Sequence, residues 1–425
     1  MPLGLTKSPT SNLFRDRHEG AKRRLDLSSF HHVLALDTVG GWADVEGGAT
    51  YEQIVSALLA CGYMPQVVPQ LKTITAGGAA AGVGIEASSF RAGLVHHTLL
   101  EFDVLTPAGE IVTCRPTGPH QDLFFGFANS YGTLGYALRL RMRVRRVKPF
   151  VRARHERFGD AKAFFFALVA ACNDRGVDFV DGVVFDRDTF VLVTATFDDD
   201  APWASDYTYE RMYWRSLLER ESDWLRTADW LWRWDTDWFW CSRNFGAQHP
   251  WVRRLWGRDR LNSRTYQRLM RWNARWGVTR AMKSLRGVSA DSVIQDVDIP
   301  IDHAEAFLAF LLAEVGILPI WICPLRAPVG WKAPLYPLAE GELYVNFGFW
   351  DTVETRSERP AGFCNRRIEA VTLELGGIKS LYSESYFSED DFWSRYGGDA
   401  YAALKARYDP AGRALDLYRK CVKGG

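Results

Sequence analysis

The sequence predicts an α+β fold in two parts, and three observations carry that prediction. Short apolar segments with period-two alternation, bounded by Gly and Pro turns, recur through residues 33–146; comparable segments alternate with helical patterns from residue 161 onward; and the composition changes near 147–151. The boundary placed there gives parts of 1–148 and 149–425, the second with a Trp/Arg-rich helical insertion over about 203–285. At 425 residues and 47% hydrophobic content, the chain is long enough to bury a core in each part.

In chain order, residues 33–36 and 43–45 read as strands around a Gly40-Gly41 turn, and Thr50 can cap a helix that runs to Leu59 and stops near Gly62. Residues 102–105 and 110–114 flank Pro107-Ala108-Gly109, a hairpin signal. After 131–136, YGTLGY, comes a strand in which Leu138, Leu140, Met142 and Val144 alternate with Arg139, Arg141, Arg143 and Arg145. That pattern predicts one buried face and one solvated cationic face. The second part reads as a helix at 161–172, strands at 179–185 and 190–197, and the Trp/Arg-rich helical stretch. Strands at 293–301, 317–323, 343–349 and 378–382 follow, with helices at 303–314, 366–375 and through 390–408.

Composition narrows the function classes. Lys+Arg 52 against Asp+Glu 51 leaves no global field for nucleic acid. Seven scattered cysteines without C-x-x-C spacing predict a reducing compartment and no metal site, and the His96-His97 pair lacks neighbouring carboxylates. No apolar stretch suited to a signal peptide or anchor follows MPLGLTKSPTSNLFRDR, and the tract 306–325 is broken by Glu314, Gly316 and Pro319. A cytoplasmic protein is expected, with peripheral placement at the inner face of the membrane as its variant.

The most informative stretch is 71–94, LKTITAGGAAAGVGIEASSFRAGL, with five glycines and six alanines. A backbone this bare either packs tightly under a neighbour or lets a large flat ligand approach it, and a flavin dinucleotide is the leading candidate.

The segments 33–94, 103–117 (DVLTPAGEIVTCRPT) and 122–138 (DLFFGFANSYGTLGYAL) resemble the FAD-binding domain of the PCMH (vanillyl-alcohol oxidase) superfamily. Within it they are most like the delta(24)-sterol reductase branch and its bacterial relatives. The likeness continues through PIWICPLRAP (319–328), ELYVNFGFW (342–350) and IKSLYSESYFSEDDFW (378–393). It implies a two-lobed FAD-binding domain followed by an α+β substrate cap built on an antiparallel sheet. By that resemblance Thr75, Ala76, Gly77 and Gly78, with Gly82, Val83, Gly84 and Ile85, lie along the flavin and its pyrophosphate. Glu86, Ser88 and Ser89 continue the wall, and Tyr136 closes over the adenosine end. The backbone N–H groups of such a glycine-rich turn would form an anion-binding concavity, though neither G-x-G-x-x-G nor a P-loop is present. Only KSPTSNLFR (7–15), with Ser11 and Asn12, is available as the preceding pyrophosphate loop, and the first strands expected before it are absent from the pattern. The first lobe is therefore expected to be incomplete, through an internal start or weaker flavin binding. That stretch carries no histidine for a covalent tether, so a non-covalent FAD is expected.

Reduced flavin chemistry on an isolated double bond needs hydride at one carbon and a proton at the other. The resemblance places Tyr344, Asn346 and Tyr382 over the flavin ring as the leading catalytic candidates, with Glu86 beside it; Glu342 and Glu384 are further proton sources. The implied activity is an FAD-dependent reduction of a lipid carbon–carbon double bond, in a sterol side chain or a methylene-branched acyl chain, with NADPH as electron donor. The alternatives are an oxidase of a sugar or alcohol using O₂, and a flavin-free lipid-binding or membrane scaffold protein. The interleaved tryptophans and arginines of 203–276 suit the core of a helical cap with arginines stacked on it or, as the sharper reading, a membrane surface; nucleic acid is disfavoured.

Overall fold

The computed structural model describes residues 3–6, 23–276, 289–355 and 359–424. Among these residues sixteen strands form three sheets, in a mixed α+β fold. Two short strands stand where none was legible: β1 (Leu3–Thr6) pairs in parallel with β2 (Arg23–Asp26). Four residues each, LGLT and RRLD, are too short to display an alternation. Ser11 and Asn12 lie outside the described residues.

The middle-sized sheet contains β3 (Val33–Asp37), β4 (Trp42–Glu46), β5 (Tyr63–Pro65), β6 (Leu99–Leu105), β7 (Ile111–Cys114) and β8 (Tyr136–Arg146). Its order is β3-β4-β8-β6-β7, with β5 also on β8, and its pairings are antiparallel. The helix Tyr51–Leu59 starts at a capping box, in which the Thr50 and Gln53 side chains bond each other's backbone N–H, and it buries Tyr51, Ile54, Val55 and Leu58. The arginine face of β8 departs from expectation, being partly buried and paired rather than solvated. Arg141 sits opposite Asp44 on β4 and Glu101 on β6, and Arg139 opposite Asp103. Arg139 reaches Asp103 at 2.7 Å and Glu101 at 2.8 Å, while Arg141 reaches Asp44 at 2.7 Å and lies over the Trp42 ring at 3.9 Å. Cross-strand carboxylates pair with Arg139 and Arg141, whereas Arg143 is exposed as expected.

The large sheet holds β9 (Phe150–Phe158), β10 (Phe179–Asp186), β11 (Thr189–Asp198), β12 (Ser222–Arg226), β13 (Ser289–Pro300), β14 (Ile320–Arg326), β15 (Leu343–Thr355) and β16 (Ile378–Lys379). Its order is β12-β9-β11-β10-β14-β15-β13-β16, antiparallel throughout. Period-two alternation divides its faces. Ile320, Ile322, Val345, Phe347, Val297 and Ile299 pack against helices Ala161–Asn173, Ala304–Phe310 and Phe363–Glu374. Trp321, Cys323, Leu325 and Tyr344 point the other way, into clusters shared with the residues before 148. Asp296 and Asp298, out of phase with Val297, share that second face.

The expected strand at 317–323 begins later, at Ile320, after Gly316 ends the preceding helical turn with φ of +70°. The Trp/Arg stretch is not wholly helical: it contributes the edge strand β12 and then short helices around buried Trp230, Trp234, Trp238 and Trp240.

Candidate functional site

The glycine run lies where the two larger sheets meet. Thr75 caps the helix Ala76–Ala81, its hydroxyl accepting from Gly78 N at 3.3 Å. Ala76, Ala79 and Ala80 are buried on one side of that helix, while Gly77 is half-buried and Gly78 exposed on the other. Gly82, Gly84 and Ile85 are half-buried beyond it. Several of the amides expected to form an anion-binding concavity are engaged within the fold. Ala76 N donates to Ala49 O and Gly77 N to Gly47 O, both at 2.9 Å; Gly84 N donates to Ala79 O at 3.0 Å; and Glu86 N donates to the Ser89 hydroxyl at 3.1 Å. Several glycines answer to packing instead. A Cβ on Gly47 would sit 1.9 Å from Ala137 O, and one on Gly82 would sit 2.8 Å from Gly78 O. What the run offers a ligand is a face without side chains, centred on Gly78.

Strained backbone gathers beside it. Val83, Asn129 and Tyr131 have φ of 52°, 61° and 48°, a conformation that costs a non-glycine residue about 1–3 kcal/mol and clusters at ligand sites. They meet: Tyr131 N donates to Ala81 O at 3.1 Å, and the Tyr131 ring covers Gly82. Tyr136, half-buried, follows at the start of β8 and packs beside Gly132. Asn129 donates to Leu335 O at 2.7 Å, and the neighbouring Tyr336 hydroxyl donates to Asp298 at 2.7 Å. One loop therefore links the glycine run to the inner face of the large sheet.

That inner face carries a buried polar cluster. Asp298 accepts from Tyr336 on one oxygen and from Asn346 Nδ2, at 2.7 Å, on the other. Asp296 is hydrogen-bonded to the Tyr382 hydroxyl, which also accepts from Trp350 Nε1 at 3.0 Å. Asp296 as a residue is partly exposed, yet its Oδ1 is enclosed and, like Asn346 Oδ1, meets no partner. Gly348 keeps this space open, since a Cβ there would lie 2.8 Å from Asp296 Oδ1. Burial pushes the Asp296 carboxyl up to about 7, with the Tyr382 bond opposing and Asp298 adding. Burial likewise pushes Asp298 up to about 6 against its two donors. The structure thus brings Asn346 and Tyr382 together with two carboxylates that sequence reasoning missed. Their signal was present as VIQDVDIP, two acids one alternation apart in an apolar strand.

Tyr344 shares that face, and the remaining candidates make other contacts. The Tyr344 hydroxyl accepts from Ala339 N at 3.1 Å and so holds a loop. Ser88 donates to Gln66 O at 2.8 Å, and Ser89 and Thr75 serve the local turns. Glu86 is fully buried and engaged on both oxygens, by Gln70 and by Arg233 Nη1 at 3.1 Å. Arg233 continues to Asp181 at 2.9 Å and lies over the Trp230 ring at 3.8 Å. Burial lifts the Glu86 carboxyl to about 7, and Arg233 works against that rise. The cluster ties the GIE sequence to the Trp/Arg insertion and to β10; Val180 N donates to Ala87 O at 2.8 Å beside it. Arg233 was indistinguishable in sequence from its exposed neighbours.

These features fit an FAD. The exposed Gly78 face admits a flat group, and the unpartnered amide oxygen Asn346 Oδ1 suits a ring that carries N–H donors. A family model described as an FAD binding domain matches residues 10–115. Over most of its length the chain is similar to Delta(24)-sterol reductase of Homo sapiens, 24% identical over 402 residues, covering 92% of this chain and 76% of the relative. The Arabidopsis thaliana protein of the same name is 24% identical over 450 residues, covering 94% and 76%. Cytokinin dehydrogenase 4 of Arabidopsis thaliana is 29% identical over 162 residues, 37% of this chain and 31% of the relative. The chain is an FAD-binding PCMH-type protein, distantly related along most of its length to the Delta(24)-sterol reductases.

Proposed function

We propose that this FAD-dependent oxidoreductase reduces an isolated carbon–carbon double bond of a lipid, with NADPH as electron donor. Residues 1–148 serve as the FAD-binding domain, two-lobed in type, and 149–425 as the substrate cap. The observation that carries the reading is the Asp296–Tyr382 pair: an enclosed carboxyl with its affinity for a proton raised to about 7, on the sheet face turned toward the glycine run. When bound and reduced, the flavin supplies hydride to one carbon of the alkene. The chain must then give a proton to the other carbon. Asp296, protonated near neutrality, is the donor, and the Tyr382 hydroxyl stabilises the carboxylate left behind. Asp298, Tyr336 and Asn346 fix the adjacent wall. Gly78 and its neighbours let the non-covalent cofactor approach closely. The names of the sterol-reductase relatives support an alkene in a sterol side chain; a methylene-branched acyl chain presents the same isolated alkene.

The test is anaerobic. Flavin-loaded protein is mixed with NADPH, loss of the visible flavin band is followed, and a lipid extract is then searched by mass spectrometry for a two-hydrogen gain. Rapid bleaching by a sugar or alcohol, with none by NADPH, would replace this reading with the oxidase. Purified protein that neither carries nor takes up FAD would leave the lipid-binding scaffold.

A further inference from the structure

We infer that the outer faces of the helices Pro250–Trp256 and Ser263–Trp276 form a docking surface for an anionic phospholipid bilayer. The structure first separates core from surface in the Trp/Arg stretch. Trp230, Trp234, Trp238 and Trp240 are buried, and Arg233 and Arg253 are locked to buried carboxylates. Both helices are rooted on the same three residues. Arg253 pairs with Asp237 at 2.6 Å, the Tyr266 hydroxyl donates to Thr236 O at 2.9 Å, and the Ser263 hydroxyl bonds Asp235. Their inner faces converge on 235–237, so their outer faces point away from it.

Those outer faces combine two properties. Trp251 and Leu255, one helical turn apart and opposite buried Arg253, are 74% and 83% exposed, and Trp272 is 56% exposed. Around them Arg254, Arg258, Arg260, Arg264, Arg268 and Arg271 are all exposed, and residues 250–272 contain one acid, Asp259, in a chain whose net charge is +1. Glu210, Asp206 and Glu52 from other elements pair with Arg254, Arg258 and Arg264. Arg260, Arg268 and Arg271 have no carboxylate partner among the described residues. Tryptophan at headgroup depth, an aliphatic side chain below it and arginines beside it match an anionic lipid interface. A polyphosphate strand would use the arginines and gain nothing from Leu255, which favours the bilayer. The inference does not rest on the proposed reaction, because binding is read without turnover.

The experiment floats the full-length flavin-loaded protein with vesicles of phosphatidylcholine alone and of phosphatidylcholine mixed with phosphatidylglycerol. Wild type is expected on the phosphatidylglycerol vesicles only, releasing as salt is raised. The double variant R268Q/R271Q should bind roughly 30-fold more weakly, at about fivefold per arginine. W251S/L255S should lose about tenfold or more. V39S, at an exposed valine in the turn between β3 and β4, should bind as wild type. All these positions are exposed, so unchanged melting curves are expected and establish that the variants fold. Equal binding to neutral vesicles, no binding by wild type, or variants that bind like wild type would each overturn the inference. So would poly-uridylate binding lost in R268Q/R271Q but kept in W251S/L255S without any vesicle binding; that result would give the surface to nucleic acid.

Discussion

Replacing Arg233 by Met tests the joint between the glycine run and the cap most directly. Arg233 is buried and holds Glu86 at 3.1 Å and Asp181 at 2.9 Å, so the change leaves two buried carboxylates without their cation. Breaking one such pair costs about 3–5 kcal/mol. The methionine restores packing volume over Trp230 but supplies no charge. At about 2.1 cal/mol/K per residue, 425 residues convert that cost to a fall in Tm of roughly 3–6 °C. The pH dependence gives the mechanism. The folded Glu86 value, about 7 with Arg233 present, already lies above the unfolded value of about 4.3. Removing the arginine raises it further. A carboxyl with a raised folded value contributes stability that is complete below the unfolded value and lost as pH rises through the folded one. At pH 5.5 Glu86 is protonated in both proteins and only the Asp181 pair is missed. At pH 8.5 the variant must in addition ionise or protonate Glu86 at a penalty, so the deficit is larger there. Melting curves at the two pH values measure it. A deficit under 1 °C at pH 8.5, or one identical at both pH values, would refute the claim that Arg233 holds these carboxylates.

Three further outcomes follow from the site. Asp296→Asn should retain FAD, judged by the visible flavin band, and lower alkene reduction about 10²–10⁴-fold, the range expected of a lost general acid; unchanged turnover would exclude Asp296 as the donor. In wild type, that step should slow as pH rises through about 7, because the protonated form of Asp296 is the active one, and Tyr382→Phe should shift this limb upward by removing a bond to the carboxylate; a flat profile in single-turnover measurements would count against the assignment. Gly78→Leu, at an exposed helix position, should leave the fold intact by circular dichroism and weaken FAD binding by about tenfold or more, since a side chain now occupies the bare face; full FAD retention would move the flavin elsewhere.

Much of the frame was legible in the chain. The alternation in β8, β10, β11 and β15 and the Thr50 cap locate their elements closely, because a half-buried strand or capped helix writes its period locally. The short β1 and β2 were not legible for want of length, and β12 was hidden within a stretch whose arginines and tryptophans read as helix. By itself the sequence determined that a side-chain-poor run lies in an FAD-binding domain, and that Asn346 and Tyr382 belong to the strands and loop facing it. Tertiary structure decided the rest, because the deciding contacts join residues far apart in sequence. Glu86 leaves the list of free acids only when Arg233, 147 positions away, closes over it. Asp296 enters only when β13, β15 and the Tyr382 loop enclose one carboxyl. The tryptophans divide into core and surface only when 235–237 anchors both helices from beneath. Local pattern fixes which face of an element is apolar; burial of a charge depends on what distant segment arrives to cover it.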